Sequence, residues 1–174
     1  ANGTTKANSG CMHAGYDPQP GSLMAKYNVE GSLMAKELCE KLDVPYSNDG
    51  SLVLAYNQQN RQTLQELYKR GIENGVKELY ILDEKETRKL EPLLSEKVVG
   101  SLYAKTSAII DPWQYTIALA EVAVENGVDL KLSNEVKAIT KENDIFTITT
   151  SKGQYRCKYI INAAGVYSDV VHEM

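Results

Sequence analysis

At 174 residues and 43% hydrophobic, the chain is long enough for one domain, or one domain and part of another, and too apolar for disorder. A net charge of −4 leaves no electrostatic footprint for nucleic acid, and no run reaches the roughly 18 apolar residues of a membrane span. Cys11, Cys39 and Cys157 are odd in number, far apart and without a C-x-x-C pair, so reduced thiols are expected and a metal site is not.

Residues 1–20 are rich in Gly, Asn, Ser, Thr and Pro and read as loop. Within them His13 lies between Gly10 and Gly15, glycines that allow a left-handed backbone or a close approach to a ligand. By its residues alone this segment is either an ordered ligand-facing loop or a turn with a solvated histidine. Residues 22–42 read as helix, with Ser22 as N-cap and Leu23, Tyr27, Met34, Leu38 and Leu42 recurring at helical steps. The hexapeptide at 21–26 returns at 31–36. A period of ten is too short for a solenoid unit and carries no function. Val44-Pro45 stops the helix.

Ser51–Tyr56 reads as a strand. Asn57 caps a helix over 58–74 with Leu64, Leu67, Tyr68 and Ile72 on one face, and Gly75 closes it. Leu79–Leu82 is a second strand. Asp83 caps a charged helix over Glu84–Leu90 whose charges form a solvated face. Val98–Ala104 is a third strand. Asp111-Pro112 opens the clearest helix, with Trp113 as a core anchor, Ile117, Ala120 and Val124 following, and Gly127 at its end. Val128–Leu132 reads as strand. Val136–Ile139 and Ile145–Thr150 read as a hairpin about Asn143-Asp144. A last strand, Tyr155–Ile161, turns fully apolar, as where a strand enters a buried parallel sheet. The fold class is mixed α/β: an antiparallel sheet with helices on one side, joined at an edge to an incomplete parallel sheet. The exposed edge makes self-association a hazard.

Four segments, in order, resemble one family. They are Ala1-Asn2-Gly3-Thr4-Thr5 with Asn8-Ser9-Gly10, His13-Ala14-Gly15 with Pro20-Gly21-Ser22-Leu23, Gly100–Ala104 with Ile109-Ile110-Asp111-Pro112, and Tyr159–Asp169. The chain is thereby similar to FAD-dependent oxidoreductases of the D-amino-acid-oxidase superfamily, in the branch of flavin-linked glycerol-3-phosphate and L-2-hydroxyglutarate dehydrogenases. The resemblance implies an FAD-domain loop and helix at 1–42, an antiparallel substrate-domain region at 43–132, and a return to the FAD domain at 133–174. It implies hydride transfer from a hydroxyl-bearing carbon to flavin N5, with a small hydroxy compound as substrate and glycerol 3-phosphate preferred. L-2-Hydroxyglutarate, another 2-hydroxy acid or an amino acid is the alternative. The electron acceptor is left open.

By the same resemblance His13 handles a proton, polarises the flavin or plays a positioning role. Ser9 and Gly10 run along the isoalloxazine, and Thr4 and Thr5 lie near the pyrophosphate or ribose. Val136 meets the adenine, and Ala164 and Gly165 let a strand end approach FAD. Lys105 and Thr106 fall near where the substrate domain faces the flavin, and His172 is a surface residue. Two departures stand out: Cys11 where relatives carry Ile or Val, and Ala108 where many have Gly. No G-x-G-x-x-G occurs in the sequence, so the FAD pyrophosphate lacks its usual helix N-terminus. The chain is therefore expected to be an internal fragment, inactive and without FAD by itself. A non-catalytic scaffold or interaction module is the competing reading. A cytoplasmic location is expected, with the parent enzyme either cytoplasmic or peripheral at a membrane.

Overall fold

A computed structural model describes residues 3–174; Ala1 and Asn2, which open the first of the resembling segments, lie outside the described residues. The chain divides into two compact units, one running to Asn126 and one from Gly127 to Met174.

The first unit begins with a 3₁₀ turn, Gly3–Thr5, and a two-residue strand β1 (Cys11–Met12). Helix α1 (Leu23–Lys41) starts where the Ser22 hydroxyl accepts the Ala25 N–H. It is followed by β2 (Tyr46–Ser47), β3 (Ser51–Ala55), α2 (Gln58–Glu73), β4 (Leu79–Asp83) and α3 (Glu84–Leu90). Strands β5 (Gly100–Ala104) and β6 (Ala108–Ile110) lead into α4 (Pro112–Glu125). Each of these four helices starts at a residue whose side chain accepts an otherwise unpaired backbone N–H, and each such cap contributes about 1 kcal/mol. Asp83 and Glu86 form a full capping box.

Two antiparallel sheets result, in the orders β1-β6-β2 and β3-β5-β4. The pleat of β5 divides its residues between two faces. Leu102 and Ala104 join Ala55, Leu64 of α2, Val76, Leu79 and Ala14 in the main core. Ser101 points the other way, onto α3, where its hydroxyl meets Thr87 Oγ1 at 2.8 Å. Helices thus cover both faces of this sheet, where one covered side was expected. A smaller core gathers Cys39, Val44 and Ile110 beneath α1 and β6.

The second unit is a three-stranded antiparallel sheet of β7 (Val136–Glu142), β8 (Ile145–Thr150) and β9 (Gly153–Cys157). Asn143 and Asp144 both take positive φ, the tight turn that joins strands of right-handed twist. A 3₁₀ turn, Gly165–Tyr167, and a short α5 (Ser168–His172) follow.

Four further expectations are corrected. Leu23, Tyr27 and Met34 of α1 are 70%, 60% and 61% exposed, while Ala25, Ser32, Ala35 and Cys39 are buried. Small side chains let the helix lie close to its support, so the bulky stripe is turned outward. Trp113 is 46% exposed and no residue of α4 is buried, so it is not a core anchor. Residues 128–132 form no strand. The last strand ends at Cys157, with Tyr159 and Ile161 almost fully exposed. Strand β8 offers its last pairing at Phe146↔Cys157, and an apolar run without a neighbour to take its N–H and C=O groups has no ladder to join. All pairings among the described residues are antiparallel.

Candidate functional site

The loop from Asn8 to Pro18 is held at both ends. Asn8 Nδ2 donates to the carbonyls of Thr4 and Thr5, each at 3.0 Å, and its Oδ1 accepts the Gly10 N–H at 2.8 Å. One side chain therefore ties the 3₁₀ turn to the start of β1. Gly10 has φ +70°, and a Cβ there would lie 2.2 Å from the Ile110 carbonyl oxygen. That contact is the side view of the ladder: Ile110 N–H donates to Gly10 O at 2.9 Å, and Cys11 pairs with Ile109. Glycine is required at position 10 by both the backbone angle and the space.

The far end is clamped by α2. Asn74 Nδ2 donates to Gly15 O at 2.9 Å and Pro18 O at 2.8 Å, and Arg70 Nη1 donates to Asp17 O at 2.8 Å. Gly15 has φ +102° and packs against Val29 of α1. Neither Asn74 nor Arg70 was singled out from the sequence. Both lie more than fifty residues away, and only the fold brings them to the loop. His13 is exposed, between Met12 of β1 and the buried Ala14. It borders a small cavity of about 150 Å³ with Gly15, Tyr16, Asp17, Pro18, Met24 and Asn28. Burial pushes the Tyr16 phenol up, with a hydrogen bond to Ser51 opposing it.

A larger open cleft of about 570 Å³ lies beside the other end of the loop, lined by Lys6, Asn8, Tyr46, Ser47, Ile109 and Trp113 among others. The Lys6 ammonium sits 6.0 Å from the Trp113 ring centroid. The cleft's walls mix apolar and aromatic side chains with the polar groups of Lys6, Asn8, Ser47 and Asp111. Trp113, expected in the core, is a wall of this cleft.

The fold brings Thr4, Thr5, Ser9 and Gly10 together through Asn8. Thr4 and Ser9 are exposed, Thr5 is half-buried and Gly10 is buried. Val136 opens β7, and Ala164 and Gly165 stand at the 3₁₀ turn; all three belong to the second unit. Lys105 is ion-paired with Glu78, which holds its ammonium above the usual lysine range. The Thr106 carbonyl accepts from Ser32 Oγ at 3.5 Å. Cys11 is a half-buried free thiol, and His172 is exposed.

All of the chain, residues 1–174, matches the family described as DAO: FAD dependent oxidoreductase. It is 51% identical over 173 residues to a glycerol 3-phosphate dehydrogenase of Caloramator mitchellensis, covering 99% of this chain and 36% of that protein. It is 32% identical over 182 residues to the mitochondrial L-2-hydroxyglutarate dehydrogenase of Mus musculus, covering 98% of this chain and 39% of that one. Among solved structures, dithionite-reduced L-alpha-glycerophosphate oxidase from Mycoplasma pneumoniae with FAD bound superimposes with a TM-score of 0.92 at 34% identity. That match covers 99% of this chain and 47% of the oxidase. The chain thus spans less than half the length of these relatives.

Proposed function

Since the chain belongs to the DAO family of FAD-dependent oxidoreductases, we propose that it is part of an enzyme that oxidises glycerol 3-phosphate at a hydroxyl-bearing carbon. The choice of substrate rests on one observation, the 51% identity to a glycerol 3-phosphate dehydrogenase over nearly all of the chain, against 32% to the hydroxyglutarate enzyme. FAD is the cofactor of this reading. Residues 1–42 and 133–174 serve the FAD domain and 43–132 the substrate domain. The left-handed turn at Gly10 and the exposed hydroxyls of Thr4 and Ser9 fit a cofactor lying along the loop. In the second unit, Gly165 has φ +60° with open space where a Cβ would be, which fits a close approach of Ala164 and Gly165 to FAD, and Val136 is the residue assigned to the adenine.

When bound, FAD would supply the acceptor for the hydride of the carbinol carbon. The remaining work falls to the chain. His13 takes the hydroxyl proton at an imidazole nitrogen, so that the C–O bond gains carbonyl character as the hydride leaves. The bonds from Asn8, Arg70 and Asn74 fix the loop backbone on either side of His13. Ser9 and Gly10 present polar backbone to the ring edge.

This chain alone is expected to bind FAD weakly and to turn over nothing, because its sequence has no G-x-G-x-x-G to hold the pyrophosphate. The outward stripe of α1 and the exposed Tyr159, Ile161 and Tyr167 make self-association of the isolated chain an expected property. No helix among the described residues is long and apolar enough to cross a membrane; a cytoplasmic location accompanies the reading.

The test is dye-coupled oxidation by the polypeptide that contains this chain. Glycerol 3-phosphate should be preferred over L-2-hydroxyglutarate, and His13→Gln should lower kcat by about 10²- to 10⁴-fold. Faster turnover of L-2-hydroxyglutarate would overturn the substrate assignment. Turnover of neither would overturn both of these substrate assignments and leave another 2-hydroxy acid or an amino acid as the substrate. Sub-micromolar FAD binding by the 174-residue chain in equilibrium dialysis would refute the expected dependence on a pyrophosphate loop.

A further inference from the structure

The tetrapeptide Glu-Asn-Gly-Val occurs twice, at 73–76 and at 125–128. Each copy ends a helix, α2 and α4, with its asparagine as C-cap. The glycine that follows is left-handed in both, at φ +85° for Gly75 and +89° for Gly127, and a Cβ on either would meet nothing within 4 Å. Sequence and backbone are therefore alike, and the difference lies in what holds each copy. At the end of α2 the Gly75 N–H donates to Ile72 O at 3.0 Å and the Val76 N–H to Gly71 O at 2.9 Å, which closes the helix. The Asn74 amide donates to Gly15 O and Pro18 O besides. At the end of α4 the Asn126 amide makes one bond, to Val122 O at 2.8 Å, and the Gly127 N–H donates to none of the described residues. Asn126, Gly127 and Val128 are all exposed, whereas Asn74 is half-buried and Val76 is buried.

We propose that Asn126 is a site of spontaneous deamidation, and that Asn74 is shielded from the same reaction by its bonds. The Gly127 backbone nitrogen gives its proton to solvent base and attacks Asn126 Cγ. A C–N bond forms, the Cγ–Nδ2 bond breaks, and ammonia leaves after taking up one proton from solvent. Water then opens the five-membered imide at one of its two carbonyls, which yields aspartate or isoaspartate. Glycine favours the attack because no side chain crowds its nitrogen. The peptide between the two residues must first turn out of its helix-end orientation, so the bonds around it must open. Four bonds resist that opening at Asn74 and one at Asn126. The product carries a negative charge at the C-terminal end of α4, next to Glu125, where the helix dipole is already negative, and so loosens the last turn. Neither FAD nor a substrate enters this reaction, so it stands apart from the oxidoreductase reading.

The experiment ages the 174-residue chain at pH 8, folded and in urea, and follows both asparagines by mass spectrometry of tryptic peptides. Residues 71–77 and 106–131 carry the two copies, and neither peptide has another asparagine. In the folded chain Asn126 should convert at least about tenfold faster than Asn74, as the additional bonds at Asn74 demand. In urea the identical tetrapeptides should convert at rates within about twofold of each other, because local opening no longer limits either. Asn126→Gln, whose longer side chain disfavours the ring, should abolish conversion of the 106–131 peptide. Equal rates in the folded chain, or faster conversion at Asn74, overturn the proposal. A tenfold ratio that persists in urea also overturns it, since the fold would not be its cause. Undiminished conversion in Asn126→Gln overturns the assignment of the site.

Discussion

Replacing Asn74 by alanine removes the two donors that hold the His13 loop to α2, at 2.9 and 2.8 Å from Gly15 O and Pro18 O. Each hydrogen bond contributes about 1 kcal/mol net, and both acceptors belong to buried residues, which raises the loss. One effect opposes it: Asn74 Oδ1 is itself buried and unpartnered, and the alanine relieves that. Two bonds lost against one relieved acceptor leaves a destabilisation of about 2 kcal/mol. The assay is urea unfolding followed by Trp113 fluorescence, since the sequence has a single tryptophan and it lies in the first unit. With a urea slope of about 2 kcal/mol/M, the midpoint falls by about 1 M. Asn74→Asp is the sharper variant. It keeps the shape but sets carboxylate oxygens against two carbonyl oxygens, and its loss should exceed that of alanine. An alanine variant within about 0.3 kcal/mol of the parent, or an aspartate no worse than alanine, refutes the clamp.

Three further outcomes are expected. Gly10→Ala meets both a left-handed backbone and the Ile110 carbonyl at 2.2 Å, so it should cost about 3 kcal/mol or more, whereas Gly75→Ala, at φ +85° in open space, should cost about 1 kcal/mol; equal losses in urea unfolding would refute the steric argument. Thr87 Oγ1 gives its one hydrogen to Asp83 O at 2.6 Å, so Ser101 must donate to Thr87; Thr87→Val with Ser101→Ala should be milder than the sum of the single changes by about 1 kcal/mol, and strict additivity would contradict the pairing. The folded-state pKa of Tyr16 is raised by burial above its ordinary value, so the folded state holds its proton more tightly than the unfolded one. Its stabilising effect is fully present below pH 10 and is lost as pH rises through the folded value. Urea midpoints from pH 8 to 11 should therefore decline less steeply in Tyr16→Phe, and an unchanged slope would refute the assignment.

Helix ends were legible because they obey local chemistry. Ser22, Asn57, Asp83 and Asp111 each bond a backbone N–H within three residues, and no distant partner is needed to decide that. The hairpin at Asn143-Asp144 was legible for the same reason. The loop around His13 was legible as a motif, since its glycines stand at positions where the backbone is left-handed.

Partners at long separation were not. The α1 stripe of Leu23, Tyr27 and Met34 has helical spacing, yet spacing does not say which face meets a support. The opposite face, of Ala25, Ser32, Ala35 and Cys39, fits closer and is the one buried. Trp113 likewise became a cleft wall only once β6 and the Lys6 turn were set beside it. The strand expected through Ile161 stops at Cys157 because strands are made by neighbours, and no propensity supplies one. Short-range bonding is written in adjacent residues and can be read there. The clamps of Asn74 and Arg70 and the buried oxygen of Asn28 depend on chain segments meeting in space, and that is settled only by packing.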